Sequence, residues 1–141
     1  MADKKIRQGA GFILFNEKDQ VLTLVVDEEL AKKNRGVLDF PKGMIEKGET
    51  VWDCAVRECY EECGIKISTT DLEWGLAPII QGQLTMFLAR TTEKGRLQRN
   101  PDTGIYEHQM VMWDKPSTIY TSLYDYLKPI LQQAILKTGI S

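Results

Sequence analysis

The sequence predicts an α/β fold in which a central mixed sheet lies between helices, in three layers. Three observations predict it. Apolar, β-prone runs recur along most of the chain. A segment free of Gly and Pro with helical spacing interrupts them at residues 50–63, and a second helical pattern follows at residues 117–136. Strands interrupted by a central and a terminal helix can bury both faces of one sheet. The 141 residues, 43% of them hydrophobic, suffice for one core, so a single domain over residues 1–141 is expected.

In chain order, residues 9–15 and 21–26 read as two strands joined by the polar turn Asn16-Glu17-Lys18-Asp19-Gln20. Residues 27–36 are charged and end in Asn34-Arg35-Gly36, which reads as a loop with one helical turn. Residues 37–40 form a short strand stopped by Pro41. Residues 41–49, with Gly43 and Gly48, form a structured loop. In residues 50–63 Val51, Ala55, Cys59 and Cys63 recur at helical spacing, and Gly64 ends the helix. Residues 65–67, 72–80 and 83–90 read as strands, residues 91–104 as a long polar connection, and residues 105–113 as a returning strand. The terminal helix carries Leu123, Leu127, Ile130, Leu131, Ala134 and Ile135 on one face, with Pro129 expected to kink or restart it.

Composition narrows the function. The net charge is −2, which gives no basic field for long nucleic acid, so a small anionic ligand must be met by local cations and a metal. The polar start Met1-Ala2-Asp3-Lys4-Lys5 is not followed by a long apolar run, and no stretch approaches a membrane span. No membrane partner and a cytoplasmic setting are therefore the expectations. Cys54, Cys59 and Cys63 fall within one predicted helix. They read as small buried apolar side chains; a soft-metal grip by Cys59 and Cys63 is the alternative.

One segment carries chemistry. Gly43-Met44-Ile45-Glu46-Lys47-Gly48-Glu49 is followed, seven residues on, by Arg57-Glu58-Cys59-Tyr60-Glu61-Glu62-Cys63-Gly64-Ile65. At roughly 100° per residue, Arg57, Glu58, Glu61 and Glu62 span an arc of about 140° on one helix. Like charges so placed cost an isolated helix about 0.2–0.5 kcal/mol per pair, and roughly 4 kcal/mol per close pair in a partly buried cleft. A divalent cation removes that penalty. An all-oxygen donor set selects a hard ion, magnesium or manganese, over zinc. A solvated acidic helix face is the alternative reading.

The same segment resembles the Nudix box, G-x5-E-x7-R-E-U-x-E-E-x-G-U, with U a bulky aliphatic. All seven fixed positions are present: Gly43, Glu49, Arg57, Glu58, Glu61, Glu62 and Gly64. Ile65 fills the second U, and Cys59 stands at the first. Seven such matches arise by chance about once in a million chains of this length, at roughly 7% per residue type. The resemblance implies the Nudix α/β/α sandwich and metal-dependent cleavage of a pyrophosphate bond. It implies Glu58, Glu61 and Glu62 as metal ligands together with the Gly43 carbonyl, and Glu49 paired with Arg57 to orient them. Lys42 is a candidate for a phosphate oxygen. Glu58 and Glu107 are the candidates for general base.

For the substrate, Leu38-Asp39-Phe40-Pro41-Lys42-Gly43 and Glu107-His108-Gln109-Met110-Val111-Met112-Trp113 resemble diadenosine tetraphosphate hydrolases, the second through Glu107, His108 and Trp113. That group stacks adenine between tyrosines. Here Val111 fills one of those positions and Met86 the other, so Tyr106 and Phe87 are the aromatic substitutes, with ordinary core or strand roles as the alternative. His108 is a candidate phosphate ligand or turn cap. The expected substrate is a dinucleoside polyphosphate. An RNA 5′ end, met by Lys94, Arg96 and Arg99, is the first alternative, followed by ADP-ribose, other nucleoside diphosphate derivatives and inositol pyrophosphates. A nucleotide-sensing module without turnover is the alternative of another class; such modules usually lose box carboxylates, and none is lost here. The sequence leaves oligomeric state open.

Overall fold

A computed structural model describes residues 8–141; the polar start at residues 1–5 lies outside the described residues. The elements are β1 (Gly9–Phe15), β2 (Val21–Val25), α1 (Glu28–Asn34), β3 (Leu38–Asp39), β4 (Lys42–Met44), α2 (Val51–Cys63), β5 (Ile79–Gln81), β6 (Leu84–Arg90), β7 (Met110–Asp114), α3 (Pro116–Ile119) and α4 (Lys128–Thr138). No helix among the described residues is long and apolar enough to cross a membrane.

β1 is the axis of the sheet, and all seven of its residues are buried. It runs parallel to β6 along its whole length, from Gly9 opposite Leu84 to Phe15 opposite Arg90. Its other edge is shared by β4, antiparallel over Gly9, Ala10 and Gly11, and by β2, which meets it at Phe15 and Val21. β2 in turn pairs with β7 and, at Leu24 and Val25, with β3.

Side chains alternate across this sheet and build two cores. Ala10, Phe12, Leu14, Phe87 and Ala89 meet Cys54, Ala55, Cys59 and Cys63 of α2. Ile13, Phe15, Met86 and Leu88 meet Ile130, Leu131 and Ala134 of α4 on the opposite face. That is the three-layer arrangement. All three cysteines are buried and free, with Cys59 Sγ and Cys63 Sγ 3.8 Å apart.

Several elements differ from the sequence expectation. Residues 28–34 form two helical turns, because Asp27 caps the Leu30 amide (2.9 Å) and Glu28, Glu29, Lys32 and Lys33 complement the helix dipole. Ile65 and Ile67 are buried against α2 without pairing into the sheet. The strand expected over residues 72–80 shrinks to β5, after a 3-10 turn at Thr69–Asp71. The strand expected from residue 105 begins only at Met110. The expected terminal helix is two helices. Leu123 is extended (φ −71°, ψ 148°), and Tyr124 donates its amide to Leu38 O (2.9 Å), so the chain pauses there to brace β3. Pro129 lies in the first turn of α4, where its missing N–H costs nothing, and so it restarts the helix.

Candidate functional site

α2 is the rod on which the site is built. Thr50 caps it by accepting from the Asp53 amide (3.0 Å), and Gly64 ends it in the left-handed region (φ 71°). Its apolar stripe packs down on β1, which turns Arg57, Glu58 and Glu61 toward the strand–loop segment that precedes the helix.

Arg57 organises that junction. Its Nε and Nη2 donate to the two oxygens of Glu49, at 2.7 and 2.9 Å, and Nη2 also donates to Met44 O (3.1 Å). Its Nη1 reaches Glu58 Oε1 (2.8 Å) and Glu61 Oε2 (3.2 Å). A planar fork with five donors suits this convergence, where lysine would supply only a point charge. Hydrogen bonding to Arg57 holds the Glu49 carboxyl below the usual carboxylate range, against a smaller opposing effect of burial.

A side chain at Gly43 would take the place the Glu58 carboxyl occupies. A Cβ there would sit 2.1 Å from the Glu58 carboxyl carbon and 2.3 Å from each of its oxygens. The Gly43 carbonyl meanwhile accepts a weak contact from the Cys54 thiol at 3.5 Å.

The three helix carboxylates differ in surroundings. Burial raises the Glu61 carboxyl, with repulsion from Glu58 adding to it and Arg57 opposing. Glu62 is only 8% exposed, and its Oε2 is buried with no hydrogen-bond partner. Burial, then repulsion from Asp39 and Glu58, raises its carboxyl well above the usual range. An unpartnered buried carboxylate oxygen is costly and calls for a cation or a proton. Among the described residues no three carboxylate, imidazole or thiol groups converge tightly on one point. The all-oxygen donors and the orphaned Glu62 oxygen nonetheless fit a hard divalent ion, once Glu58 and Glu61 release Arg57 Nη1.

Glu58, Glu61 and Glu62 line a cleft of about 240 Å³ together with Lys42, Gly43, Glu107 and His108. The far wall is the long segment between β6 and β7, which contributes Gln98, Asn100, Pro101 and Asp102. The middle of that segment is held to the domain where the Arg96 amide donates to Cys63 O (2.9 Å) and Trp113 Nε1 donates to Lys94 O (2.8 Å). Asn100 donates its side-chain amide to Glu107, which is exposed at the cleft mouth.

At the inner end, Lys42 Nζ pairs with Asp39 (3.1 Å) and sits 5.7 and 5.3 Å from the ring centres of Tyr124 and Tyr126. Burial, the largest single effect, pulls the Lys42 ammonium down, but Asp39 and Tyr126 together outweigh it and leave the group above its ordinary value. His108 Nε2 lies between two buried carboxylates, 3.8 Å from Asp39 and 4.0 Å from Glu62.

The structure thus brings together Gly43, Arg57, Glu58, Glu61, Glu62, Lys42, Glu107 and His108, with Glu49 behind Arg57. The two aromatic substitutes fall elsewhere. Phe87 is 6% exposed and packs edge-on to Trp52 (5.0 Å, 87°), so its ring belongs to the core. Tyr106 is exposed, does not line the cleft, and has the Arg99 guanidinium 4.9 Å above its ring. Met86 is fully buried on the α4 side while Val111 packs on the α2 side; on opposite faces of the sheet, the two positions form no clamp. Sequence reasoning had not singled out Asp39 or Asn100. The signal for Asp39 was an acid in the apolar run Val37-Leu38-Asp39-Phe40, three residues before a lysine.

Known proteins are similar to this chain in sequence and in fold. The family model "NUDIX domain" matches residues 5–133. Nudix hydrolase 6 of Arabidopsis thaliana is 35% identical over 65 residues, 46% of this chain and 23% of that protein. An RNA pyrophosphohydrolase of Erythrobacter litoralis is 34% identical over 70 residues, 50% of this chain and 41% of that protein. The matched segment thus spans less than half of each of these relatives. Among solved structures, a Caenorhabditis elegans Ap4A hydrolase binary complex has a TM-score of 0.65 at 19% identity, covering 93% of this chain and 98% of that one. The MutT protein of Methanosarcina mazei has a TM-score of 0.65 at 20% identity, covering 94% and 95%. At such identities these two establish the shared fold alone. With the family match running through both cores and the whole acidic helix, the chain belongs to the Nudix family.

Proposed function

We propose that this chain is a pyrophosphohydrolase that cleaves a nucleoside diphosphate-linked substrate, a dinucleoside polyphosphate foremost. The observation that carries the reading is one cleft in which three carboxylates of a single helix face two cations, Lys42 and Arg57. Repelling carboxylates held in place by an arginine–glutamate clamp are a costly arrangement for a purely structural helix.

In this reading Glu58, Glu61, Glu62 and the Gly43 carbonyl hold magnesium or manganese. The ion supplies Lewis-acid neutralisation of the phosphate chain. Lys42 and His108 orient phosphate oxygens from the inner end. Glu107, with Asn100 holding its carboxylate, accepts the proton from the attacking water; Glu58 is the alternative acceptor. Glu49 fixes Arg57, and Arg57 in turn fixes the angle between Glu58 and Glu61.

An RNA 5′ pyrophosphohydrolase is the second reading, favoured by the likeness to the Erythrobacter RNA pyrophosphohydrolase. Of its candidate cations, Arg99 is engaged with Tyr106 and Gly104 O. A substrate panel with magnesium, its products separated by ion-exchange chromatography, decides. AMP and ATP from diadenosine tetraphosphate support the first reading, and pyrophosphate released from 5′-triphosphorylated RNA supports the second. A parent protein that leaves every diphosphate compound intact overturns both.

A further inference from the structure

Lys42 stands beside two sets of carboxylates and is joined to only one of them. It lines the acidic cleft with Glu58, Glu61 and Glu62, yet its ammonium pairs with Asp39, 3.1 Å from Oδ1 and 3.4 Å from Oδ2. Glu62 Oε2 meanwhile is buried without a hydrogen-bond partner. The two acids are near neighbours: Asp39 Oδ2 and Glu62 Oε2 both lie within 4.0 Å of His108 Nε2. Attraction from Lys42 also reaches Glu62, where it works against the upward push of burial. A lysine has a flexible four-carbon stem, and an unpaired buried carboxylate draws any cation within its reach.

We infer that Asp39 is a positioning residue that holds the Lys42 ammonium off Glu62 and so keeps that carboxylate open to a divalent ion. The inference rests on the reading of Glu58, Glu61 and Glu62 as ligands of magnesium or manganese, and adds what keeps one of them available. Arg57 Nη1 already bonds Glu58 and Glu61, so Glu62 is the carboxylate left free for an arriving ion. A lysine seated on it would satisfy the orphaned oxygen with a single charge, and the ion would have to displace that lysine.

Asp39 is itself firmly placed. It is 7% exposed, and its Oδ1 also accepts from the Phe40 amide at 2.8 Å, which fixes the carboxylate on β3. β3 is held on β2 by the pairing of Leu24 with Asp39, and Leu38 O accepts the Tyr124 amide. The rings of Tyr124 and Tyr126 stand on the Lys42 ammonium and complete its seat.

The test reads metal binding rather than turnover. Manganese is titrated into the parent, Asp39→Asn, Lys42→Met and the double variant, and the free ion is counted by electron paramagnetic resonance. Asparagine keeps the size of the side chain and the acceptor for the Phe40 amide while removing the charge. Asp39→Ser, which also removes the charge and keeps an acceptor, repeats the comparison. Asp39→Asn should weaken manganese binding about tenfold, as for groups that act on a metal ligand from outside. In the Lys42→Met background the same change should cost less than about threefold, because no ammonium remains to occupy Glu62. A crystal structure of metal-free Asp39→Asn should show Lys42 Nζ on Glu62. Equal losses with and without Lys42 overturn the inference, since Asp39 would then act on the ion by its own charge; unchanged affinity in Asp39→Asn overturns it too. A parent that binds no manganese overturns the metal reading itself and this inference with it, and so is told apart from failure of the inference alone.

Discussion

Glu49 and Arg57 meet through two hydrogen bonds, 2.7 and 2.9 Å, and the remaining Arg57 nitrogen is shared by Glu58 and Glu61. Glu49 therefore touches no other carboxylate of the cleft, yet it sets the position of two. Glu49→Gln is expected to lower kcat about 10–100-fold, the range for groups that orient ligands. The pH response has a definite sign. The folded Glu49 carboxyl lies below its unfolded value, so its stabilising effect is complete above the unfolded range near 4.5 and is lost as pH falls through the folded value. Thermal melts from pH 6 to pH 3 should fall less steeply in Glu49→Gln than in the parent. Parallel curves would show that the pair does not couple to folding.

Glu62 presents the opposite case, a carboxylate whose inner oxygen has no partner. Glu62→Gln removes the buried charge. In the metal-free protein at neutral pH it should raise Tm by about 2–4 °C, the shift expected for ~1 kcal/mol in a domain of this size. Magnesium is expected to raise the Tm of the parent, and the same variant should lose that increase. Differential scanning fluorimetry with and without magnesium reads both effects, and an undiminished magnesium response would remove Glu62 from the ligand set.

A methyl group at Gly43 conflicts with the Glu58 carboxyl as it is placed, given the 2.1 Å approach. Gly43→Ala must turn the Glu58 carboxyl aside, away from Arg57 Nη1. Turnover should fall about a hundredfold, since displacement near 1 Å has that effect on catalytic geometry. Full activity in Gly43→Ala would mean that the cleft tolerates the displacement.

Trp113 ties the far wall to the sheet through its indole N–H and Lys94 O. Trp113→Phe keeps the ring and removes the donor, a loss of about 0.5–1.5 kcal/mol. Amides over residues 94–98 should exchange faster, and kcat should drop several-fold as Glu107 and His108 lose their support. Unchanged exchange there would place the restraint elsewhere.

The helix residues of the site are readable from sequence because they are local. Spacing at 3.6 residues per turn puts Arg57, Glu58, Glu61 and Glu62 together wherever the helix sits. Asp39, Asn100 and Tyr126 join them from three distant segments, and no local period announces that meeting. The placing of Met86 at the position of a clamp tyrosine fails for a related reason. β6 is apolar on both faces, so its alternation shows that Met86 and Phe87 point apart but not which of them faces α2. The broken terminal helix has a different cause: Leu123 is as apolar as a helical position requires, but it is drawn into extended backbone beside β3.

The central strand also governs when the site comes into being during refolding. α2 is a local structure and can form on the microsecond scale. β1, however, must find β6 across most of the intervening chain, and β4 then docks on the same strand. Long-range parallel pairing of this kind is slow. In a stopped-flow refolding experiment, recovered turnover should therefore lag the helical circular-dichroism signal and coincide with the change in tryptophan emission as Trp52 packs onto Phe12 and Phe87.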